Sequence, residues 1–237
     1  MAVLPAHAVP TNRSLVNAAC ASTHTMTASP KITTVPAHTL WGQPWAESLH
    51  STIIQAFKRK DIQAFPPSWT RLNPDPAIGI SGLGSELGNQ GYLVVLLLDG
   101  EAVGCSGFLP FRGNGWIDRE QSVTDLHDGC TSSDSVSERS RPPPEEWEVC
   151  CFCIHPEYRR QGLSKTLLKA VEAATRDQGG RRLAVNYSSI ETKDFWPRAG
   201  FVPIPGATSV LRKGFTHTAG MEGLRADIHF QVAIKQL

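Results

Sequence analysis

No apolar run in this 237-residue chain reaches the roughly 18 residues that a membrane-spanning helix needs, so a membrane role is set aside. Nor does one sign of charge dominate. Lys and Arg number 23 against 22 Asp and Glu, so no global field draws the chain to nucleic acid or an anionic surface, and any anion site must be built locally. The first thirty-odd residues lack acids and hold few bases (Arg13, Lys31) among much Ala, Ser, Thr and His. That composition has a faint likeness to a mitochondrial transit peptide. The single arginine, with Pro5 and Pro10, argues instead for a disordered tail over residues 1–30 and a cytoplasmic protein. Internal repeats are also missing. A chain of this length can bury well over half of its unfolded surface in one core, which leads us to expect a single domain over residues 31–237.

What is present is punctuated. Ile32 to Val35 reads as extended, and Trp45, Leu49, Ile53, Ala56 and Phe57 recur at helical spacing. Residues 66–91, rich in Pro, Gly and Asn, read mostly as loop. Two apolar runs, Tyr92 to Leu98 and Ala102 to Phe111, flank Asp99-Gly100, the pattern of an antiparallel hairpin. From Arg112 to Pro144 the chain is polar and without period, which suggests an insertion between two strands. Trp147 to Ile154 reads as a buried strand, and His155-Pro156-Glu157-Tyr158 breaks it. Leu163, Leu167, Leu168, Val171 and Ala174 then form a helical stripe that stops at Gly179-Gly180. Strands over residues 182–187 and 228–234 and a short helix over 190–199 complete the reading.

The most informative segment joins the buried strand to that helix. The first N–H groups of a helix have no internal partner and the peptide dipoles add positive potential, so this end suits phosphate oxygens. Gly162 permits close backbone approach, and Arg159, Arg160 and Lys165 bring charge. Neither the G-x-x-x-x-G-K-[ST] string nor G-x-G-x-x-G stands at this place. Arg159-Arg160-Gln161-Gly162-Leu163-Ser164, preceded by Ile154-His155-Pro156-Glu157-Tyr158, instead resembles the [Q/R]-x-x-G-x-[G/A] motif of the GNAT acetyltransferases, with Ser164 where Gly or Ala is usual. The resemblance implies a mixed α/β (α+β) fold with six to seven strands and helices on both faces. It also implies acetyl-CoA as co-substrate. The backbone of Phe152, Cys153 and Ile154 would run along the pantetheine arm, and Arg159 to Lys165 (Arg159, Arg160, Gln161, Gly162, Leu163, Ser164 and Lys165) would wrap the pyrophosphate. Ser189 would take the place of an asparagine that often contacts CoA in relatives.

Acyl transfer to an amine requires a base, an oxyanion donor and an acid for the thiolate. Glu148 is the candidate base: it lies on the central strand eleven residues before Arg159, the offset of the base in the histone-acetylating branch of the family. An ordinary strand-end carboxylate is the plain alternative. The resemblance makes a backbone N–H near Cys153 and Ile154 the oxyanion donor. Asp194-Phe195-Trp196-Pro197-Arg198-Ala199-Gly200-Phe201 resembles the motif that carries the family's acid tyrosine, but Trp196 stands where that tyrosine would be, and indole can donate a hydrogen bond without acting as an acid. Tyr187 is the nearest alternative in sequence. Cys150, Cys151 and Cys153 have no second ligand pair at metal-finger spacing, so we expect no metal but buried reduced thiols, with Cys151 and Cys153 on one face and Cys150 on the other.

The resulting expectation is an N-acetyltransferase acting on a small-molecule amine by direct attack in a ternary complex. The alternative is a GNAT-fold CoA-binding protein with lost or altered transfer chemistry, and other acyl groups remain open.

Overall fold

The computed structural model describes residues 29–58, 63–112, 144–216 and 221–237. The expected tail over 1–30 and the insertion over 112–144 lie almost wholly outside them. The described elements are β1 (Lys31–Pro36), α1 (Ala46–Ala56), α2 (Pro76–Leu87), β2 (Tyr92–Leu98), β3 (Glu101–Pro110), β4 (Glu146–Ile154), α3 (Leu163–Asp177), β5 (Arg182–Tyr187), two single-turn helices α4 (Ser189–Thr192) and α5 (Phe195–Arg198), β6 (Val202–Leu211) and β7 (Ile228–Gln236). The strands form one sheet in the order β1-β2-β3-β4-β5-β7-β6. Every neighbouring pair is antiparallel except β4 and β5, which α3 connects.

Strand alternation divides the core into two layers. On one face Val94 and Leu96 of β2 pack with Phe108, Trp147 and Val149 against Leu163, Leu167 and Val171 of α3. On the other, Leu93 and Val95 pack with Cys105 and Leu109 against Leu49 and Ile53 of α1 and Ile80, Leu83 and Leu87 of α2. Each fully buried aliphatic side chain here contributes about 1.5–3 kcal/mol. Because β2 is covered on both faces it reads as a continuous apolar run. The Asp99-Gly100 turn that follows has both residues at positive φ, 51° and 88°, as a tight hairpin requires. Helix α1 is fixed to β3 by two hydrogen bonds one turn apart: the Ala102 N–H donates to Ser48 Oγ (2.9 Å) and Thr52 Oγ1 donates to the Ala102 carbonyl (2.6 Å).

Four expectations change. Residues 66–91, read as loop, contain a helix: α2 occupies Pro76–Leu87, with Asp75 capping the Ile78 N–H at 3.0 Å and Pro76 in the first turn. Its glycines are contact points: a Cβ on Gly79 would sit 2.8 Å from the Asn73 carbonyl oxygen and 2.8 Å from His50, and one on Gly84 2.9 Å from the Ala37 carbonyl oxygen. Strand β6 occupies Val202–Leu211, where sequence patterning gave none. It is an edge strand whose ladder is interrupted between Pro203 and Thr208, the setting in which a sheet tolerates proline. The expected helix over 190–199 is divided into α4 and α5, with Lys193 at φ 50° between them.

The cysteines of β4 do not alternate as expected either. Two residues of β4, Cys151 and Phe152, oppose the single Ser106 of β3, and Cys151 takes a positive φ of 48°. This bulge brings Cys150, Cys151 and Cys153 to the α1–α2 face together, while Phe152 and Ile154 face α3. The expectation of Cys150 on the opposite face is thereby corrected.

Candidate active site

Strand β4 pairs with β5 only from Glu146 to Val149. Beyond Val149 no β5 residue is in register with Cys150–Ile154, and a cavity of about 320 Å³ opens between Phe152, Cys153 and Ile154 on one side and Trp196 on the other, with Arg160, Leu163 and Ser164 at its end. A 3-10 turn (Pro156–Tyr158) leads from β4 into the loop, where Arg160 (φ 64°) and Gly162 (φ 79°) are both left-handed. The Arg160 conformation costs about 1–2 kcal/mol and is of the kind held at ligand-binding turns.

Helix α3 starts at Leu163 with no capping side chain and no acid in its first turn, and a Cβ built on Gly162 would face open space. The helix start therefore presents its orphan amides outward, as a pyrophosphate requires. Arg159 behaves otherwise. Its Nη2 donates to the Ala56 carbonyl (2.9 Å) and its Nε to the Ile154 carbonyl (3.2 Å), so its side chain ties the end of α1 to the end of β4 instead of wrapping the loop. Gln161 is exposed and donates to the Glu157 carbonyl at 3.3 Å. Lys165 and Ser189 are exposed and outside the cavity lining, whereas Glu191 and Thr192 of α4 lie within it.

Trp196 is 4% exposed and stands in a cluster of edge-to-face rings with Phe152 (5.3 Å), Phe195 (5.0 Å) and Phe201 (5.1 Å). Its indole N–H is buried with no hydrogen-bond partner among the described residues. A buried donor of this kind costs about 1–3 kcal/mol until something accepts from it. Tyr187 is buried in the α3-side core and lines neither this cavity nor the next.

A second cavity, of about 130 Å³, adjoins the first, and Phe57 and Glu191 line both. Glu148, 2% exposed, lies in it. Its carboxylate accepts from Arg112 Nη2 at 3.3 Å and from the Arg112 backbone N–H at 3.4 Å. Burial pushes the Glu148 carboxyl above its usual range, and the Arg112 guanidinium opposes that rise. Glu86 is also present and takes Arg71 Nη2 on both oxygens, at 2.6 and 2.7 Å. Cys150 lines the same cavity, with its thiol raised well above its ordinary value by burial, which leaves it protonated and a poor nucleophile. Cys105 and Cys153 approach to 3.6 Å between sulfurs in the core. Among the described residues no group of three or more His, Cys, Asp or Glu could hold a metal ion.

Arg112, Arg71 and Glu86 were not identified from sequence. Each comes from a different part of the chain, and no local spacing marks their convergence on the cavity that holds Glu148.

Two cavities meet along one splayed strand, with an open helix start beside the larger one. Residues 54–201, more than half of the chain, match the model of the acetyltransferase (GNAT) family. The chain belongs to that family. Solved structures agree in fold: a GNAT-family protein from Desulfovibrio desulfuricans superposes with a TM-score of 0.51 at 14% identity, covering 88% of this chain and 99% of that one. The polyamine N-acetyltransferase of Drosophila melanogaster, an enzyme that forms N-acetylagmatine, superposes with a TM-score of 0.51 at 17% identity over 87% of this chain and 100% of that one. A curated relative, the tRNA(Met) cytidine acetyltransferase TmcA of Aeropyrum pernix, is 33% identical over 57 residues, which is 24% of this chain and only 8% of that protein. In this GNAT chain the motif loop and the splayed strand occur together, and the position of the family's tyrosine is held by tryptophan.

Proposed function

We propose that this protein is an acetyl-CoA-dependent N-acetyltransferase that acetylates the amine of a small molecule by direct attack in a ternary complex. The observation that carries the reading is the course of β4, which runs from the cavity holding Glu148 into the cavity lined by Leu163 and Ser164, with the bulge at Cys151 between them. The residues fit the co-substrate. The outward amides at the start of α3 would hold its pyrophosphate, and the β5-facing edge of Phe152–Ile154 would hold its pantetheine amides. Bound acetyl-CoA supplies the thioester carbonyl. Glu148 takes the ammonium proton through a water, and its raised proton affinity suits it to that task. Backbone N–H groups near Cys153 donate to the acyl oxygen, and the unpartnered Trp196 N–H is the donor nearest in role to the missing tyrosine.

Trp196 also motivates a second reading, a CoA-binding protein without transfer activity, because indole cannot supply a proton near neutral pH. Calorimetry with acetyl-CoA, followed by thiol release across an amine panel, separates the two. Binding with turnover supports the enzyme, binding without turnover on any amine supports the second reading, and a folded protein that does not bind acetyl-CoA or CoA sinks both.

A further inference from the structure

Three of the four described free cysteines form a cluster that the acetyl-transfer chemistry leaves unused. Cys105 of β3 stands directly opposite Cys153 of β4, with their sulfurs 3.6 Å apart, and the Cys105 thiol also donates to the Cys151 carbonyl at 3.7 Å. All three side chains pack on the α1–α2 face. Opposed residues of an antiparallel pair have Cα atoms about 4.5–5.5 Å apart, inside the range of about 4.4–6.8 Å that a disulfide takes. The backbone is therefore already set for a Cys105–Cys153 bridge, and only the sulfurs must close.

Access and reactivity meet at the third member. Cys105 is wholly buried, whereas Cys151 and Cys153 are 8% and 6% exposed and line the smaller and the larger cavity respectively. Hydrogen bonds from the Cys105 and Cys153 thiols hold the Cys151 thiol well below its ordinary value, against the effect of burial. Hydrogen bonds to Cys151 and Cys153, with burial, push Cys105 well up. Cys153 is pulled down by Cys105 but raised further by Cys151 and by burial, and also ends well above the ordinary value. Cys151 is thus the first of the three to become a thiolate and the best leaving group among them. Its cavity, about 130 Å³, has room for hydrogen peroxide, which is little larger than water, and not for glutathione disulfide.

We propose that this cluster is a site of oxidation by hydrogen peroxide, with Cys151 as the attacking sulfur and a Cys105–Cys153 disulfide as the product. The Cys151 thiolate attacks the peroxide: an S–O bond forms, the O–O bond breaks, and the departing hydroxide takes a proton to leave as water. The Cys105 sulfur then attacks the sulfenic acid, forming an S–S bond and breaking the S–O bond, and a second water carries off the Cys105 proton. Cys153 displaces Cys151 from that bridge, and its proton passes to the Cys151 sulfur. Two thiols are oxidised and one peroxide is reduced. Resting on the acetyltransferase reading above, the bridge has a consequence: it ties Cys153, whose backbone lies at the acyl oxygen in that reading, to β3 and so slows acetyl transfer reversibly.

The test treats the reduced full chain with hydrogen peroxide, cleaves after Phe152 to separate Cys151 from Cys153, and maps the linked peptides by mass spectrometry. The expected product is a Cys105–Cys153 link that dithiothreitol reverses, formed at least about tenfold more slowly with glutathione disulfide. Cys151→Ser should slow bridge formation at least about tenfold. Cys105→Ala should instead leave a sulfenic acid on Cys151 that dimedone labels, which tests the order of steps even if the first variant folds poorly. Acetyl transfer should fall at least about tenfold on oxidation and recover on reduction. A map that lacks the Cys105–Cys153 link overturns the proposal, as does a link that forms at an unchanged rate in folded Cys151→Ser. A bridged enzyme of undiminished activity overturns the regulatory consequence. A bridge that forms in a protein acetylating no amine upholds the oxidation site and sinks the acetyltransferase reading together with the consequence drawn from it.

Discussion

Replacing Arg112 by glutamine should move the acid limb of the pH–rate profile to higher pH. Burial raises the proton affinity of Glu148, and the guanidinium 3.3 Å away lowers it. Coulomb's law at that distance gives about 1.3 kcal/mol even in the dielectric of bulk water, a floor for a pair as buried as this one. That is roughly tenfold in the protonation equilibrium. In the proposed mechanism the base acts deprotonated, so activity should rise with pH as Glu148 ionises. Loss of the cation favours the protonated form, and kcat/KM on the limb should fall about tenfold and recover as pH rises. Stability follows the same sign. A carboxyl with raised folded-state proton affinity binds its proton more tightly folded than unfolded, so it favours folding below its unfolded pKa, and this is lost as pH rises through the folded value. Arg112→Gln should therefore lower Tm more under mildly alkaline than mildly acidic conditions. The assay is kcat/KM for acetyl transfer from about pH 5 to about pH 9, with Arg112→Lys as the charge-retaining control and Glu148→Gln, which should abolish the limb and cost about 100-fold or more. An acid limb that stays in place or shifts to lower pH in Arg112→Gln refutes the assignment of Glu148 as base.

Gly162→Asp places a carboxylate at the start of α3. The side chain meets open space but is strained at φ 79°, so Tm should fall slightly while calorimetry shows CoA affinity reduced by about 100-fold. Trp196→Phe keeps the ring cluster but removes the buried N–H; CoA binding should persist, and kcat should fall about tenfold if that group donates to developing charge at the sulfur. Two glycines of α2 should respond oppositely in thermal melts. Gly82→Ala, with nothing within 4 Å of the new Cβ, should stabilise by up to about 1 kcal/mol, whereas Gly79→Ala should destabilise by about 1–3 kcal/mol because the Asn73 carbonyl and His50 must move.

Those glycines also explain why the sequence was legible in some places and opaque in others. The β2–β3 hairpin and α3 could be read because their signals are local: a turn dipeptide, an apolar stripe, a stopping Gly pair. Helix α2 was missed because glycine is both a turn residue and the residue that lets helices approach, and only the neighbours, Ala37, His50 and Asn73, distinguish the two. Strand β6 was missed because Pro203 and Pro205 argue against a strand unless it is known to be an edge. The candidate site divides the same way. The Gly162 loop is written in consecutive residues, while the charged groups that share the Glu148 cavity come from α2 (Glu86), from the segment before it (Arg71) and from just past β3 (Arg112). Arg159 carried the right motif position, yet its side chain is directed to Ala56 by the nearby end of α1, which the motif does not encode.

The bulge at Cys151 is where these strands of argument meet. In a regular strand Glu148, Cys150, Phe152 and Ile154 would share one face. One extra residue reverses the alternation, so Glu148 and Cys150 line the smaller cavity while Phe152 and Ile154 turn to the α3 side. Pairing with β5 ends at Val149, two residues before the bulge, and frees the following backbone edge just where the faces exchange. Glu148 and the free Phe152–Ile154 edge thus lie on one continuous strand yet line separate cavities, which under the proposed function lets two substrates approach the same point without competing for space. The left-handed Cys151, held at φ 48° in a buried strand, is the local strain that this arrangement requires.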